Sequence, residues 1–233
     1  MRPTVGSALR LDRRTVLLSI AAIPALGAGI AASQEDGYVI EQDEECTEIT
    51  ALSYEDQTVE EFYGYTLVYS PDVPWSANTP IDLEKDNDET STLFVYEGPE
   101  GPSLVFIHGE VDGEAGGAAT FYFDGLPEEG EWVVQDDPPE DSTDQWDRPV
   151  AGYDDVVDWT WRDKYTDGGA FHGGLEEEFE IEIRAVFNED AELEPLVEGN
   201  VTEWRVLTVE DGTIEAIELD MDEPVIVRNG TCS

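Results

Sequence analysis

Basic residues are scarce in this chain. Its 233 residues include 56 Asp and Glu but only 11 Lys and Arg, which gives a formal net charge of −45. A surface this anionic repels phosphate groups, so nucleic acids and acidic lipid surfaces are excluded as direct partners. Like charges also destabilise a compact fold in dilute buffer, where the Debye length is about 10 Å or more, but at molar salt that length shrinks to about 3 Å. The composition is therefore typical of a protein that folds in concentrated salt.

Cysteine and histidine are also rare. The chain has two cysteines, Cys46 and Cys232, which are too few for a structural zinc site with four ligands. In an oxidising compartment we expect them to form a disulfide bond, which would place the first and last strands of the domain side by side. A bridge that closes so long a loop contributes about 5 kcal/mol in the loop-entropy model. The two histidines, His108 and His172, form no closely spaced metal-binding pair.

Long hydrophobic runs are missing except near the N-terminus. There, residues 16–26 are apolar, follow Arg13 and Arg14, and are themselves followed by small residues. A basic start, a short apolar segment and a small-residue end predict an export signal over residues 1–33, with cleavage after Ser33. The apolar run is short for a membrane helix, so we expect no membrane span after cleavage. An uncleaved membrane anchor is the alternative interpretation.

The adjacent arginines of this segment resemble a twin-arginine signal, whose machinery exports proteins that have already folded. The match to that family departs at Asp12, where the motif has Ser or Thr, and at Val16, where it has Phe. Together with the acidic composition, Arg13 and Arg14 make the chain similar to the secreted proteins of halophilic archaea. The resemblance covers only the signal and the composition. It implies a protein located at the cell surface or outside the cell.

Two glycosylation sequons lie in the part of the chain that would be exported. Asn200 begins the first, Asn-Val-Thr, and Asn229 begins the second, Asn-Gly-Thr. The pattern is short, and its use depends on the asparagine lying on the surface of a secreted protein. We therefore predict glycosylation at these positions as a consequence of export.

Helical periodicity is lacking in residues 34–233. Short β-branched and aromatic runs alternate there with Gly, Pro and Asp clusters, and Glu178–Arg184 alternates acidic with apolar residues, which is typical of a strand with one solvated face. Asp211 and Gly212 predict a tight hairpin. We predict a single all-β domain, an antiparallel β-sandwich of jelly-roll or immunoglobulin-like type. The predicted strands are Cys46–Leu52, Phe62–Tyr69, Thr92–Tyr96, Leu104–His108, Ala119–Phe123, Trp132–Gln135, Val156–Trp161, Phe179–Val186, Thr202–Val209, Thr213–Leu219 and Val225–Arg228.

Acidic residues are less frequent in residues 158–174, and the candidate binding residues lie in this segment. Trp159 and Trp161 are two apart and so share one face of a predicted strand, with Tyr165 and His172 close behind in the sequence. If the indoles are exposed, they form an aromatic surface suited to a glycan or a protein partner. If they are buried, they belong to the centre of the sandwich, as tryptophan commonly does.

Calcium is the one metal that the sequence suggests. Closely spaced carboxylates in a loop can supply its oxygen ligands, and Asp163 and Asp167 are the candidates, with Asp82–Glu89 as a second acidic stretch. Neither stretch matches the EF-hand pattern. No other cofactor is predicted.

These features favour an exported, halophilic β-sandwich that acts in binding, adhesion or envelope assembly, with a cell-surface protein or glycan as its partner. The sequence shows no recognisable catalytic motif. The alternative is a secreted hydrolase that uses two carboxylates, such as a carbohydrate-active enzyme. Among 56 acidic residues, the sequence cannot single out such a pair.

Overall fold

The computed structural model describes residues 37–65, 77–85, 87, 89–111, 113–136, 150–193 and 199–232, together with the backbone of residues 30–32. Arg13, Arg14 and the rest of the predicted twin-arginine motif lie outside the described residues. Among the residues that are described, no helix is both long enough and apolar enough to cross a membrane.

The described chain forms fourteen strands, one short α-helix and two 3₁₀ helices, at Leu83–Lys85 and Asn188–Ala191. The helix α1 is Val59–Tyr63. The strands are β1 (Ile30–Ala32), β2 (Tyr38–Gln42), β3 (Glu45–Ile49), β4 (Leu52–Tyr54), β5 (Thr90–Gly98), β6 (Gly101–His108), β7 (Gly117–Asp124), β8 (Glu131–Gln135), β9 (Asp155–Trp161), β10 (Asp167–His172), β11 (Glu180–Phe187), β12 (Glu203–Glu210), β13 (Thr213–Leu219) and β14 (Val225–Asn229).

The strands form two sheets that pack against each other, so the predicted all-β sandwich is confirmed. The six-stranded sheet has the order β3-β2-β14-β11-β7-β9 and is antiparallel throughout. The eight-stranded sheet has the order β1-β4-β5-β6-β10-β8, with β12 joined to both β5 and β13. It is mixed, because β4 and β12 both run parallel to β5. These parallel pairs are a departure from the strictly antiparallel arrangement that the alternating pattern favoured.

An aromatic inner core fills the space between the sheets. Phe121 makes edge-to-face contacts with Phe106, Trp159 and Trp204, at centroid distances of 5.4, 5.2 and 5.9 Å. Strand β11 supplies its apolar residues to this core and turns Glu180 and Glu182 to solvent, as its alternating sequence predicted. Each such aromatic ring, when fully buried, stabilises the fold by about 1.5–3 kcal/mol.

The eight-stranded sheet also has an outer cluster of buried apolar side chains on its other face. Helix α1 packs there, and Phe62 stacks on Tyr96 with ring centroids 4.4 Å apart. The predicted strand Phe62–Tyr69 is therefore wrong at its start. Thr58 caps the helix by accepting a hydrogen bond from the Glu61 amide, and Gly64 ends it with a φ of 66°. Residues 66–69 of that predicted strand lie outside the described residues.

The predicted strand Cys46–Leu52 is divided between the two sheets. Its first part is β3 in the six-stranded sheet, and its end belongs to β4 in the eight-stranded sheet. The crossing occurs at Thr50, whose amide donates to Thr208 Oγ1 at 2.9 Å and whose carbonyl accepts from the Val209 amide at 3.2 Å. Hydrogen bonds to β12 thus hold the chain as it passes from one sheet to the other.

The predicted hairpin between β12 and β13 is confirmed. Asp211 and Gly212 have φ values of 50° and 76°, the left-handed region that a tight two-residue turn requires at both positions. The pairing continues without a shift from Glu210 opposite Thr213 to Trp204 opposite Leu219. The apolar pattern along β13 is irregular, and the regular pairing shows that no bulge causes it. It arises because this strand contributes to the outer cluster on one face and to the inner core on the other.

The predicted disulfide bond between Cys46 and Cys232 is confirmed, with Cα atoms 5.7 Å apart and a sequence separation of 186 residues. The first strand of the six-stranded sheet, β2, pairs with its last, β14. Cys46 lies one strand further out, on β3. The C-terminal residues reach it beyond β2, and the Cys232 amide donates to Glu48 Oε1 at 3.2 Å. The bridge thereby joins the C-terminal end of the chain to β3, the edge strand of the six-stranded sheet.

Candidate functional site

Trp159 and Trp161 are buried, with 0% and 4% of their surfaces exposed. The prediction that they form an exposed binding surface is wrong, and the alternative that they belong to the core is confirmed. The reason is that β9 turns this face toward the other sheet, where Trp159 lies 5.5 Å from Phe106 between ring centroids. Neither indole is available to a glycan or a protein partner in this fold.

His108 lies inside the same aromatic core. Its ring stacks on Trp161 at 5.3 Å with an interplanar angle of 16°, and Trp159 lies 4.7 Å away on another side. Nδ1 is 2.9 Å from Ser91 Oγ. Burial lowers the pKa of His108 to about 3, because a charged imidazolium would be desolvated there. The ring is therefore neutral at any pH near 7 and has a structural role.

This burial predicts an acid-sensitive fold. Because the pKa of His108 is about 3 when folded and about 6.5 when unfolded, the unfolded chain takes up a proton first as the pH falls. The contribution to stability is complete above pH 6.5 and is lost as the pH falls toward 3. At pH 5.5 the free energy of unfolding should be about 1.4 kcal/mol lower than at pH 7.5.

The measurement is urea unfolding in molar KCl across this pH range, where surface repulsion is screened. A His108→Phe variant should lose the pH dependence, since a phenyl ring fits among the same aromatic neighbours without titrating. A wild-type protein with the same stability at both pH values would contradict the burial of a neutral His108.

His172 is only half-buried and lies away from the tryptophans. Its Nδ1 is 3.0 Å from Ser103 Oγ and 3.2 Å from the Pro102 carbonyl oxygen. It is the last residue of β10, whereas Tyr165 lies just before the first residue of that strand, so the two are separated by the length of the strand, roughly 17 Å at the usual rise per residue. The structure does not bring His172 and Tyr165 into one site.

The exposed part of the acid-poor segment is the turn Arg162–Tyr165, which we call the β9–β10 tip. All four of its residues are exposed, and Tyr165, at 39%, is the one large hydrophobic side chain in the described chain that is classed as exposed. Neither Arg162 nor Lys164 forms an ion pair with another described residue. The tip therefore presents two cations, the Asp163 carboxylate and an aromatic ring on a protein of net charge −45.

The tip is held firmly at its base. The Tyr165 amide donates to the Arg162 carbonyl at 3.2 Å and closes the turn. Behind it, the start of β7 packs against Trp161 so closely that a Cβ on Gly117 would lie 2.1 Å from the indole ring. Asp167 fixes the other side, because its carboxylate accepts from the Thr160 and Gly168 amides at 2.8 and 2.7 Å. The side chains at the tip thus project from a rigid support.

The candidate calcium ligands are not brought together. Asp167 is buried and its two carboxylate oxygens accept backbone hydrogen bonds, whereas Asp163 is exposed on the tip. In the part of the chain that the structure describes, no group of three or more His, Cys, Asp or Glu side chains is placed to hold a metal ion. The described residues therefore give no support to the predicted calcium site at Asp163 and Asp167.

The two sequon asparagines differ in their surroundings. Asn200 is exposed, and its side-chain amide donates to Glu89 Oε1 at 3.1 Å. Asn229 lies on β14, where its side chain accepts from the Phe179 amide at 3.3 Å and donates to the Glu177 carbonyl at 2.7 Å. Asn229 thus links β14 to the segment that precedes β11. Asn200 is the more accessible of the two as an acceptor for a glycan.

One polar group in the core was not predicted from the sequence. The Tyr63 hydroxyl donates to Asp136 Oδ2 at 3.0 Å, and both side chains are fully buried. Burial, together with the negative charge of Asp136, raises the pKa of Tyr63 well above its ordinary value. The hydroxyl therefore stays protonated as a donor. Only the helix α1, which the sequence pattern did not reveal, brings Tyr63 to this position.

Comparison of the chain with family models, curated proteins and solved structures finds no match.

Proposed function

We propose that this protein is exported by the twin-arginine route and acts at the cell surface or outside the cell as a binding protein. The β9–β10 tip is its contact element, and its partner is an acidic cell-surface protein or glycan. One observation supports the tip above all others: an exposed tyrosine lies beside two cations that form no ion pair with another described residue, on an otherwise acidic molecule.

The disulfide bond supports the proposed location. Bridges such as Cys46–Cys232 persist in oxidising surroundings and are rare in reducing cytoplasm. A twin-arginine route also suits a chain whose bridge spans 186 residues, because both ends of the domain must be in place before the bridge can form. The charge excess fits an environment of high salt, where the carboxylates are screened.

The chemistry of the tip indicates an acidic partner. The Arg162 guanidinium can bind a carboxylate or sulfate through two parallel hydrogen bonds, and Lys164 adds a second positive charge. Tyr165 contributes a large contact area with little conformational entropy to lose. At molar salt only direct contacts of this kind survive screening, so the partner's anionic groups must touch the tip.

Exposure of Trp159 and Trp161 beside a pair of carboxylates would have favoured the alternative of a carboxylate-dependent hydrolase. Both indoles are buried. Their burial removes this support for a hydrolase, and we therefore propose the binding role.

The proposal is tested by removing the two positive charges of the tip. An Arg162→Ser and Lys164→Ser double variant should lose at least about tenfold in affinity for isolated halophile cell envelopes in molar KCl, since two direct ionic contacts are removed. Co-sedimentation of the purified protein with envelopes measures this. Arg184→Ser is the matched control, because Arg184 is exposed on β11 and away from the tip. Equal binding by the double variant and the wild type would refute the role of the tip.

A further inference from the structure

Strand β1 belongs to the folded sandwich although it precedes the predicted cleavage point after Ser33. Its three residues pair antiparallel with β4, with Ile30 opposite Tyr54, Ala31 opposite Ser53 and Ala32 opposite Leu52. On its other side, β4 pairs with β5 at a single position, Leu52 opposite Tyr96. Most of the backbone pairing of β4 is therefore supplied by β1.

Cleavage after Ser33 would remove this strand from the exported protein. The peptide groups of β4 that now face β1 would then lie unpaired at the edge of the eight-stranded sheet, which is an open template for pairing with another chain. Cleavage there would also require β1 to leave the sheet first, because Ala31 and Ala32 are paired with β4 in the folded domain. A chain that is exported after folding would meet the signal peptidase in that paired state.

The sequence offers a second cleavage point directly before the strand. Gly27-Ala28-Gly29 also places small residues at the two positions that signal peptidases require. Strand β1 starts at the next residue, Ile30. Cutting between Gly29 and Ile30 removes the whole apolar run and leaves every paired residue of β1 in the mature protein.

We propose that the signal is removed between Gly29 and Ile30, so that the mature protein begins with β1 as the edge strand beside β4. This inference rests on the proposed export. It assigns the processing site to the residue before the folded sheet begins, so that cleavage removes no paired residue of β1.

The test is N-terminal sequencing and intact-mass measurement of the full-length chain after export from a haloarchaeal host. We expect Ile30 as the first residue. A first residue of Gln34, or a chain that keeps its signal, would overturn the inference. Export itself is scored separately, as protein outside the cell that disappears when Arg13 and Arg14 are both replaced by Lys. Arginine-independent export with Ile30 first would refute the twin-arginine route and leave the processing site intact.

Two matched variants separate the candidate cleavage points. Gly29→Leu places a large side chain at the proposed position and should abolish or displace processing, whereas Ser33→Leu should leave Ile30 as the first residue. The opposite result, with processing blocked only by Ser33→Leu, would overturn the inference. In the mature protein, amide hydrogens of residues 52–54 should exchange slowly, and fast exchange there would show that β1 does not stay in the sheet.

Discussion

In low-salt buffer the protein should melt tens of degrees below its melting temperature in molar KCl. The solvated face of the six-stranded sheet shows the reason, because Glu182 on β11 lies directly opposite Asp124 on β7 and both are exposed. Like charges opposite each other on neighbouring strands destabilise the pair. With a net charge of −45, similar repulsion acts over the whole surface until salt screens it. Circular dichroism melts over a KCl series measure the effect.

Two substitutions on β11 separate local repulsion from a general effect of salt. Glu182→Gln removes one of two opposed charges and should raise the melting temperature in low salt more than in high salt. Glu180→Gln, two residues away on the same face, removes the carboxylate opposite Arg228 and should lower it. Equal melting temperatures in low and high salt would contradict the screening argument, whereas shifts of the same sign in both variants would contradict the local cross-strand effect.

Replacing Trp159 by Ala should lower the free energy of unfolding by about 3–5 kcal/mol. The indole is fully buried and contacts Phe106 and Phe121, so its removal leaves a cavity in the aromatic core. For a domain of this size each kcal/mol corresponds to about 2–4 °C, so the melting temperature should fall by roughly 6–20 °C. Urea unfolding in molar KCl gives the free energy directly.

Tyr165→Ala is the matched control for the tryptophan. Loss of its exposed ring should lower the free energy of unfolding by less than about 0.5 kcal/mol. The same loss should weaken envelope binding if the tip is the contact element. The two variants thus separate a residue of the core from a residue of the binding surface. A Trp159→Ala protein of unchanged stability that no longer binds envelopes would contradict the burial of the indole.

The elements predicted correctly from the sequence are those set by local chemistry. Strand β11 alternates acids with apolar residues because one of its faces meets water, and the Asp211 turn forms because both of its central residues accept a left-handed backbone. The elements that were missed depend on distant contacts. Strand β10, with Gly168 and Gly169 near its start, has little strand propensity and is held between β6 and β8. Helix α1 is too short for a periodic signal and depends on its capping box and on Phe62 packing against Tyr96.

The candidate site was only partly predictable for the same reason. The acid-poor segment was identified, but the sequence could not say which of its aromatic residues were buried. Trp159, Trp161 and Tyr165 are similar in kind, and only the position of the opposite sheet separates the two in the core from the one at the tip. The spacing of Asp163 and Asp167 suggested a shared metal, yet a β-strand boundary turns one carboxylate inward and leaves the other in solvent.

The sequence by itself determined the all-β architecture, the excess of acidic residues and the partners of the disulfide, because composition, alternation and a single pair of cysteines do not depend on how the sheets meet. Only the tertiary structure decided which aromatic residues lie in the core and where the exposed cations lie. It also decided that Ile30–Ala32 forms the edge strand beside β4. These features depend on burial and on strand order, and both are set by residues far apart in the chain. A local pattern cannot contain that information.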